Sequence, residues 1–96
     1  MKKRRFESVW DAIESNPREA ANLRARSELM IALKERLQAS KLTQARAAKL
    51  LGVTQPRVSD LMRGKIDLFS LETLIDMLAR AGAHVKLTVH FNKRAA

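Results

Sequence analysis

The feature that most constrains this chain is the spacing of a few residues between Ala48 and Leu61. Gly52 follows a short stretch of helical apolar spacing and can adopt the positive φ that a sharp turn requires. Ala48 suits the point where two helices come closest, because a larger side chain would push them apart. Val53 can fill the turn, and Thr54 can cap the helix that follows. The spacing therefore predicts two short helices packed at a steep angle across Gly52.

Further helices are predicted on both sides of this pair, and a strand follows them. The Asn-Pro pair at residues 16–17 is typical of a helix start, and the helical pattern continues to about residue 39, with a break near Arg26 left open. Another helix is predicted over residues 71–81. Residues 85–91 alternate apolar and polar side chains, which is typical of a strand with one buried face. The predicted fold class is therefore mainly α, with four to five helices and one C-terminal strand.

Basic residues concentrate where the turn is predicted. The net charge is +9, and between residues 41 and 65 the only acid among the basic residues is Asp60. Outside that stretch the charges nearly cancel, except for a basic start at residues 2–5. A charge run is often no more than a solvated face, but its coincidence with the turn favours a polyanionic partner.

Two helices in this arrangement form a helix-turn-helix, whose second helix can enter the major groove of DNA. The side chains near its start that do not turn inward are predicted to face the bases: Gln55, Arg57, Ser59 and Asp60. Glutamine can pair with adenine through two hydrogen bonds, and arginine can do the same with guanine. Asp60 has two readings, since it can accept from a cytosine amine or pair with Arg57 or Arg63 and aim them.

Phosphate contacts are expected around the reading helix, from side chains and from the amides at helix starts. The predicted side chains are Gln44, Thr54, Arg63 and Lys65. The alternative is a helical hairpin that keeps this geometry for packing alone. RNA binding is less favoured, because RNA-binding modules use aromatic stacking faces and this chain is only 4% aromatic.

The segment QARAAKLLGVTQPRVSDLMRGK resembles the helix-turn-helix of the Cro/C1-type (XRE) repressors, and the similarity extends from about residue 16 to residue 89. Within that family the chain is similar to the short HigA-type antitoxins, which bind a small ribonuclease toxin and repress their own operon. The resemblance implies phosphate contacts for Gln44 and Thr54, and base-facing positions for Gln55, Pro56 and Asp60. Pro56 departs from many phage repressors, because proline offers only apolar contact; the operator sequence therefore does not carry over. The alternative is a stand-alone regulator of the same family without a toxin partner.

Length and composition limit the other possibilities. With 96 residues the chain is expected to form one domain, over residues 16–91, between an N-terminal segment 1–15 and a polar tail 92–96. Without cysteine it can form neither a disulfide nor a thiolate metal site. No apolar run approaches the roughly 18 residues of a membrane helix, and no signal peptide is evident. We expect a cytoplasmic protein that is not an enzyme, with no cofactor and no metal, since His84 and His90 lack further ligands.

The C-terminal strand predicts a homodimer. A lone strand leaves its backbone groups unpaired unless another strand joins it, and the simplest partner is the same strand of a second copy. The expected interface consists of Val85, Leu87, Val89 and Phe91. Two reading helices would then face a palindromic operator. The alternative is pairing within the chain, with residues near 6–10.

The N-terminal segment carries a second apolar pattern. Phe6, Val9, Trp10 and Ile13 have the spacing of one helix face. A short amphipathic segment of this kind can gain order by laying its apolar face on a partner, so these residues are candidate toxin contacts. The alternative is that they pack onto the chain's own domain.

Overall fold

The structure is a computed structural model, and it describes residues 16–91. The predicted toxin contacts Phe6, Val9, Trp10 and Ile13 lie outside the described residues, as does the tail 92–96. In chain order the elements are α1 (Pro17–Ser40), α2 (Gln44–Leu51), α3 (Gln55–Met62), a 3-10 turn (Ile66–Leu68) and α4 (Leu71–Arg80). No helix in this part of the chain is long and apolar enough to cross a membrane.

Helix α1 is one continuous helix, so the break left open near Arg26 does not occur. It begins where the Asn16 side chain accepts a hydrogen bond from the Glu19 amide at 3.2 Å, with Pro17 in the first turn. It ends at Lys41, which adopts the left-handed conformation with φ 57°. The predicted helix therefore begins where its capping residues stand.

The core lies between α1, the α2–α3 pair and α4. Helix α1 packs mainly on α4, while α2 packs mainly on α3. The fully buried side chains are mostly aliphatic, as a chain with few aromatic residues requires: Leu33, Leu51, Val58, Leu61, Phe69, Leu74 and Met77. One face of α3 packs on this core, and the opposite face lies at the surface.

The turn between α2 and α3 has the predicted geometry. Gly52 has φ 70°, and the Val53 amide donates to the Ala48 carbonyl at 3.0 Å. Ala48 is buried at the contact between the two helices. A Cβ atom on Gly52 would lie 2.8 Å from the Arg80 guanidinium, so the glycine also makes room for a side chain from α4.

The predicted strand over residues 85–91 is not formed within the described residues, and this part of the fold prediction is corrected. The segment after α4 has no regular secondary structure. A strand exists only through hydrogen bonds to a neighbouring strand, and residues 16–91 contain no other one. Val85 packs partly against the core, whereas Leu87, Val89 and Phe91 are 77%, 75% and 91% exposed.

Candidate nucleic-acid interface

Helix α3 packs on the core through one face, and its first residues lie at the surface. Thr54 caps it by accepting a hydrogen bond from the Arg57 amide at 3.3 Å, and Pro56 stands in the first turn. Val58 and Leu61 are fully buried and anchor the opposite face. Because Pro56 has no N–H and the Arg57 amide is used by the cap, only the Gln55 amide of the first turn is left free to meet an anion.

The two residues at the very start of α3 lie at the surface. Gln55 and Pro56 are both exposed, and neither side chain is bonded to another part of the described chain. A glutamine in this position keeps both amide donors and its carbonyl available for a base edge. The predicted placement of these two residues is therefore compatible with base contact.

Arg57 is held differently, and here the sequence prediction was incomplete. Its guanidinium lies over the Phe69 ring, 4.1 Å from the ring centre, and the residue is half-buried. Phe69 comes from the loop between the 3-10 turn and α4 and belongs to the core. The sequence alone gives no sign of this contact, because an aromatic residue that far from the turn is typical of an ordinary core position.

Asp60 forms ion pairs near the C-terminal end of α3. Its carboxylate lies 3.2 Å from the Arg63 guanidinium and 3.6 Å from the Lys65 ammonium, and it is 24% exposed. Of the two arginines considered as partners, Arg63 is therefore the one that pairs with it. Both cations remain largely exposed, and surface pairs of this kind are weak, so phosphates can compete for them. Ser59, beside Asp60, is half-buried.

The predicted phosphate-contacting residues surround this face. Gln44 begins α2 and Thr54 precedes α3, and both are exposed, as are Arg63 and Lys65. Thr43 caps α2 through a hydrogen bond from the Arg46 amide at 3.2 Å, so the starts of both helices are ordered. Arg46 and Lys49 add exposed positive charge on α2, and between residues 41 and 59 the chain carries no acid.

Within residues 16–91 no group of three or more histidine, cysteine, aspartate or glutamate side chains could hold a metal ion. His84 and His90 are both exposed in the segment after α4. The surface around α3 is thus a set of hydrogen-bond donors and positive charges, which suits a polyanion better than chemistry on a small substrate.

Comparisons with known proteins agree with this geometry. Residues 13–90 match the model of a family described as a helix-turn-helix domain. A solved structure provisionally designated an XRE family transcriptional regulator is 31% identical, with a TM-score of 0.72 over 81% of this chain and 88% of that one. No curated protein matches the chain.

Proposed function

This chain belongs to the helix-turn-helix domain family and is a DNA-binding transcriptional regulator of the XRE type, and we propose that it represses its own operon as a homodimer on a palindromic operator. The family is not enzymatic. The observation that carries the proposal is the start of α3, where exposed Gln55 and Pro56 stand on a helix fixed by its cap and its buried face. Because the ligand is the cell's own DNA, we place the protein in the cytoplasm.

On DNA, we assign the start of α3 to the major groove. Gln55 would pair with an adenine, and Pro56 would offer apolar contact to a thymine methyl. Arg57, Ser59 and Asp60 would border this reading face, while Gln44, Thr54, Arg63 and Lys65 would hold phosphates. Exposure supports the assignments of Gln55, Pro56 and the phosphate contacts, whereas Arg57, Ser59 and Asp60 are assigned by their position along α3.

The segment after α4 supports dimer formation. Leu87, Val89 and Phe91 are apolar and almost fully exposed, and within the described chain no backbone hydrogen bond is made beyond Ala83. Pairing with the same segment of a second copy would satisfy these backbone groups and cover the apolar row, with Val85 continuing it into the core. Two α3 helices would then reach half-sites about one helical turn, roughly 34 Å, apart.

Sedimentation tests the dimer with two neighbouring substitutions. Leu87→Glu places a charge in the proposed interface, and we expect it to produce monomers at concentrations where the wild type dimerises. Thr88→Glu adds the same charge on the polar side of the alternation and should leave the dimer in place. Dimers of equal strength in both variants would remove this segment from the interface.

Selection from a library of randomised duplexes tests the operator. The wild-type protein is expected to enrich a palindrome whose half-sites are one helical turn apart. The Gln55→Ala variant should enrich a motif that has lost preference at one position in each half-site. Failure of the wild type to enrich any motif would contradict the proposal of sequence-specific repression.

We further propose that the protein is the antitoxin of a toxin–antitoxin pair, with a small ribonuclease as its partner. The resemblance to short HigA-type antitoxins supports this, and so does the place where the family match begins, at residue 13. Phe6, Val9 and Trp10 precede that match and carry the chain's one tryptophan. Tryptophan is among the residue types that dominate the binding energy of protein interfaces.

Co-expression with the product of the neighbouring gene tests the antitoxin role. Trp10→Ala is expected to lose growth rescue and co-purification while it still binds the selected duplex. Gln55→Ala is the matched control, and it should lose preference at one position in each half-site while it still neutralises the toxin. If no neighbouring gene product binds the full chain, the protein is a stand-alone regulator.

A further inference from the structure

Phe69 lies after the helix-turn-helix in the chain, yet its ring faces a side chain of the reading helix. We propose that Phe69 is a positioning residue for DNA recognition, because it holds the Arg57 guanidinium beside the start of α3 with its hydrogen-bond donors directed to DNA. The inference rests on the DNA-binding role proposed above. It assigns a part in recognition to a core residue outside the two helices that define the motif.

The Phe69 ring is held in place by the residues around it. Phe69 is 1% exposed, and its amide donates to the Ile66 carbonyl at 3.1 Å. The next residue, Ser70, caps α4 by accepting a hydrogen bond from the Thr73 amide at 3.1 Å. The ring is therefore fixed by the core on one side and by the start of α4 on the other.

The arginine is anchored at its other end as well. The Arg57 amide donates to the Thr54 side chain, which fixes its backbone in the first turn of α3. With the guanidinium stacked 4.1 Å from the ring centre, both ends of a long and flexible side chain are held. Much of the side-chain entropy that DNA binding would cost is then already lost in the free protein.

Stacking and hydrogen bonding use different parts of the guanidinium. When an arginine stacks on an aromatic ring, the ring meets the flat face of the guanidinium, and the N–H donors in its plane stay free for hydrogen bonds. Among residues 16–91 no carboxylate lies within 4.0 Å of Arg57, since the ion pairs there involve Arg63, Lys65 and Arg80. The guanidinium N–H groups of Arg57 are thus available for a pair of acceptors on DNA, either O6 and N7 of a guanine or two oxygens of a phosphate.

A second arginine, Arg26, lines the same groove as Arg57. Arg26 lies on α1 and donates to the Ile66 carbonyl at 3.3 Å. Because both guanidinium groups are positively charged, a position of Arg57 closer to Arg26 is unfavourable. Asp67 also lines the groove but does not pair with either arginine.

A double-mutant cycle tests the inference, with the duplex that the wild-type protein enriches as the probe and a scrambled duplex of equal composition beside it. Arg57→Ala is expected to weaken binding about tenfold or more. Phe69→Leu keeps an apolar side chain in the core but removes the stacking face, and it should weaken binding about fivefold. Combined with Arg57→Ala, Phe69→Leu should cause almost no further loss.

Two further variants separate positioning from general stability. Leu74→Ala lowers stability at a fully buried site of α4. When it is combined with Arg57→Ala, the fold-loss in binding should equal the product of the two single losses. Phe69→Met fills the core with a flexible side chain and should behave like Phe69→Leu; it replaces that variant if the leucine form does not fold. All binding is measured at a temperature where thermal unfolding shows each variant to be folded.

The arms of the experiment give distinct answers. If Arg57→Ala weakens binding to the selected duplex alone, the Arg57 guanidinium is assigned to a guanine. If it weakens binding to both duplexes equally, the guanidinium is assigned to a phosphate. Either result supports the inference if the effects of the two substitutions are coupled. If the losses from Phe69→Leu and Arg57→Ala multiply, Phe69 acts only through stability and the inference is wrong. If the wild type enriches no duplex at all, the proposed function fails instead.

Discussion

Two parts of this chain have clear apolar patterns, but only one of them buries its apolar side chains within the same chain. In the helix-turn-helix, residues 43–65, both helices have their own caps, and Leu61 is buried by the same chain. In the segment over residues 83–91, only Ala83 and Val85 reach the core, and Leu87 is 77% exposed. A helix satisfies its backbone within itself, whereas a strand needs a neighbour. We therefore propose that the second pattern belongs to an interface with another molecule.

The same substitution in the two parts should lower the stability of the chain by very different amounts. Leu61→Ala is expected to lower the free energy of unfolding by about 2–5 kcal/mol, because it leaves a cavity in the core. Leu87→Ala should cost the single chain less than about 0.5 kcal/mol, since its side chain is exposed there. Urea denaturation at low protein concentration measures both. A large loss for Leu87→Ala under monomeric conditions would mean that the segment packs on its own chain.

The turn is the next most sensitive place. Gly52→Ala is expected to cost about 1–2 kcal/mol, since φ is 70° there and the new Cβ would displace Arg80. Gly64→Ala is the matched control, because Gly64 has φ 73° but its Cβ would meet only the Lys34 amine at 3.8 Å. Thermal unfolding of both variants separates the cost of the left-handed backbone from the cost of displacing Arg80. A greater loss at Gly64 than at Gly52 would contradict the role given to Arg80.

This contrast explains how much could be predicted from the sequence. The caps Asn16, Thr54 and Ser70 each act within four residues of themselves, so the helix starts could be predicted from local sequence. The stack of Arg57 on Phe69 joins residues that come together only in the folded core, and no spacing rule reveals it. The exposure of Gln55 could be predicted, while the half-buried state of Arg57 could not.

The smallest expected effect concerns Asp60, the acid that pairs with two predicted phosphate contacts. Asp60→Asn frees Arg63 and Lys65, so binding to a scrambled duplex should tighten and the salt slope should steepen by about one unit. Stability should change by less than about 1 kcal/mol, because the pairs are at the surface. Titrations at several salt concentrations provide the measurement. Weaker binding to every duplex would show that Asp60 aims these cations instead of neutralising them.

The central claim is that the start of α3 reads DNA sequence while its surroundings bind the backbone. Comparing Gln55→Ala with Lys65→Ala on the selected and the scrambled duplex tests it most directly. Gln55→Ala is predicted to cost about 1–3 kcal/mol on the selected duplex and almost nothing on the scrambled one. Lys65→Ala is predicted to weaken both equally and to reduce the salt slope by about one unit. Equal losses on both duplexes for Gln55→Ala would contradict the account.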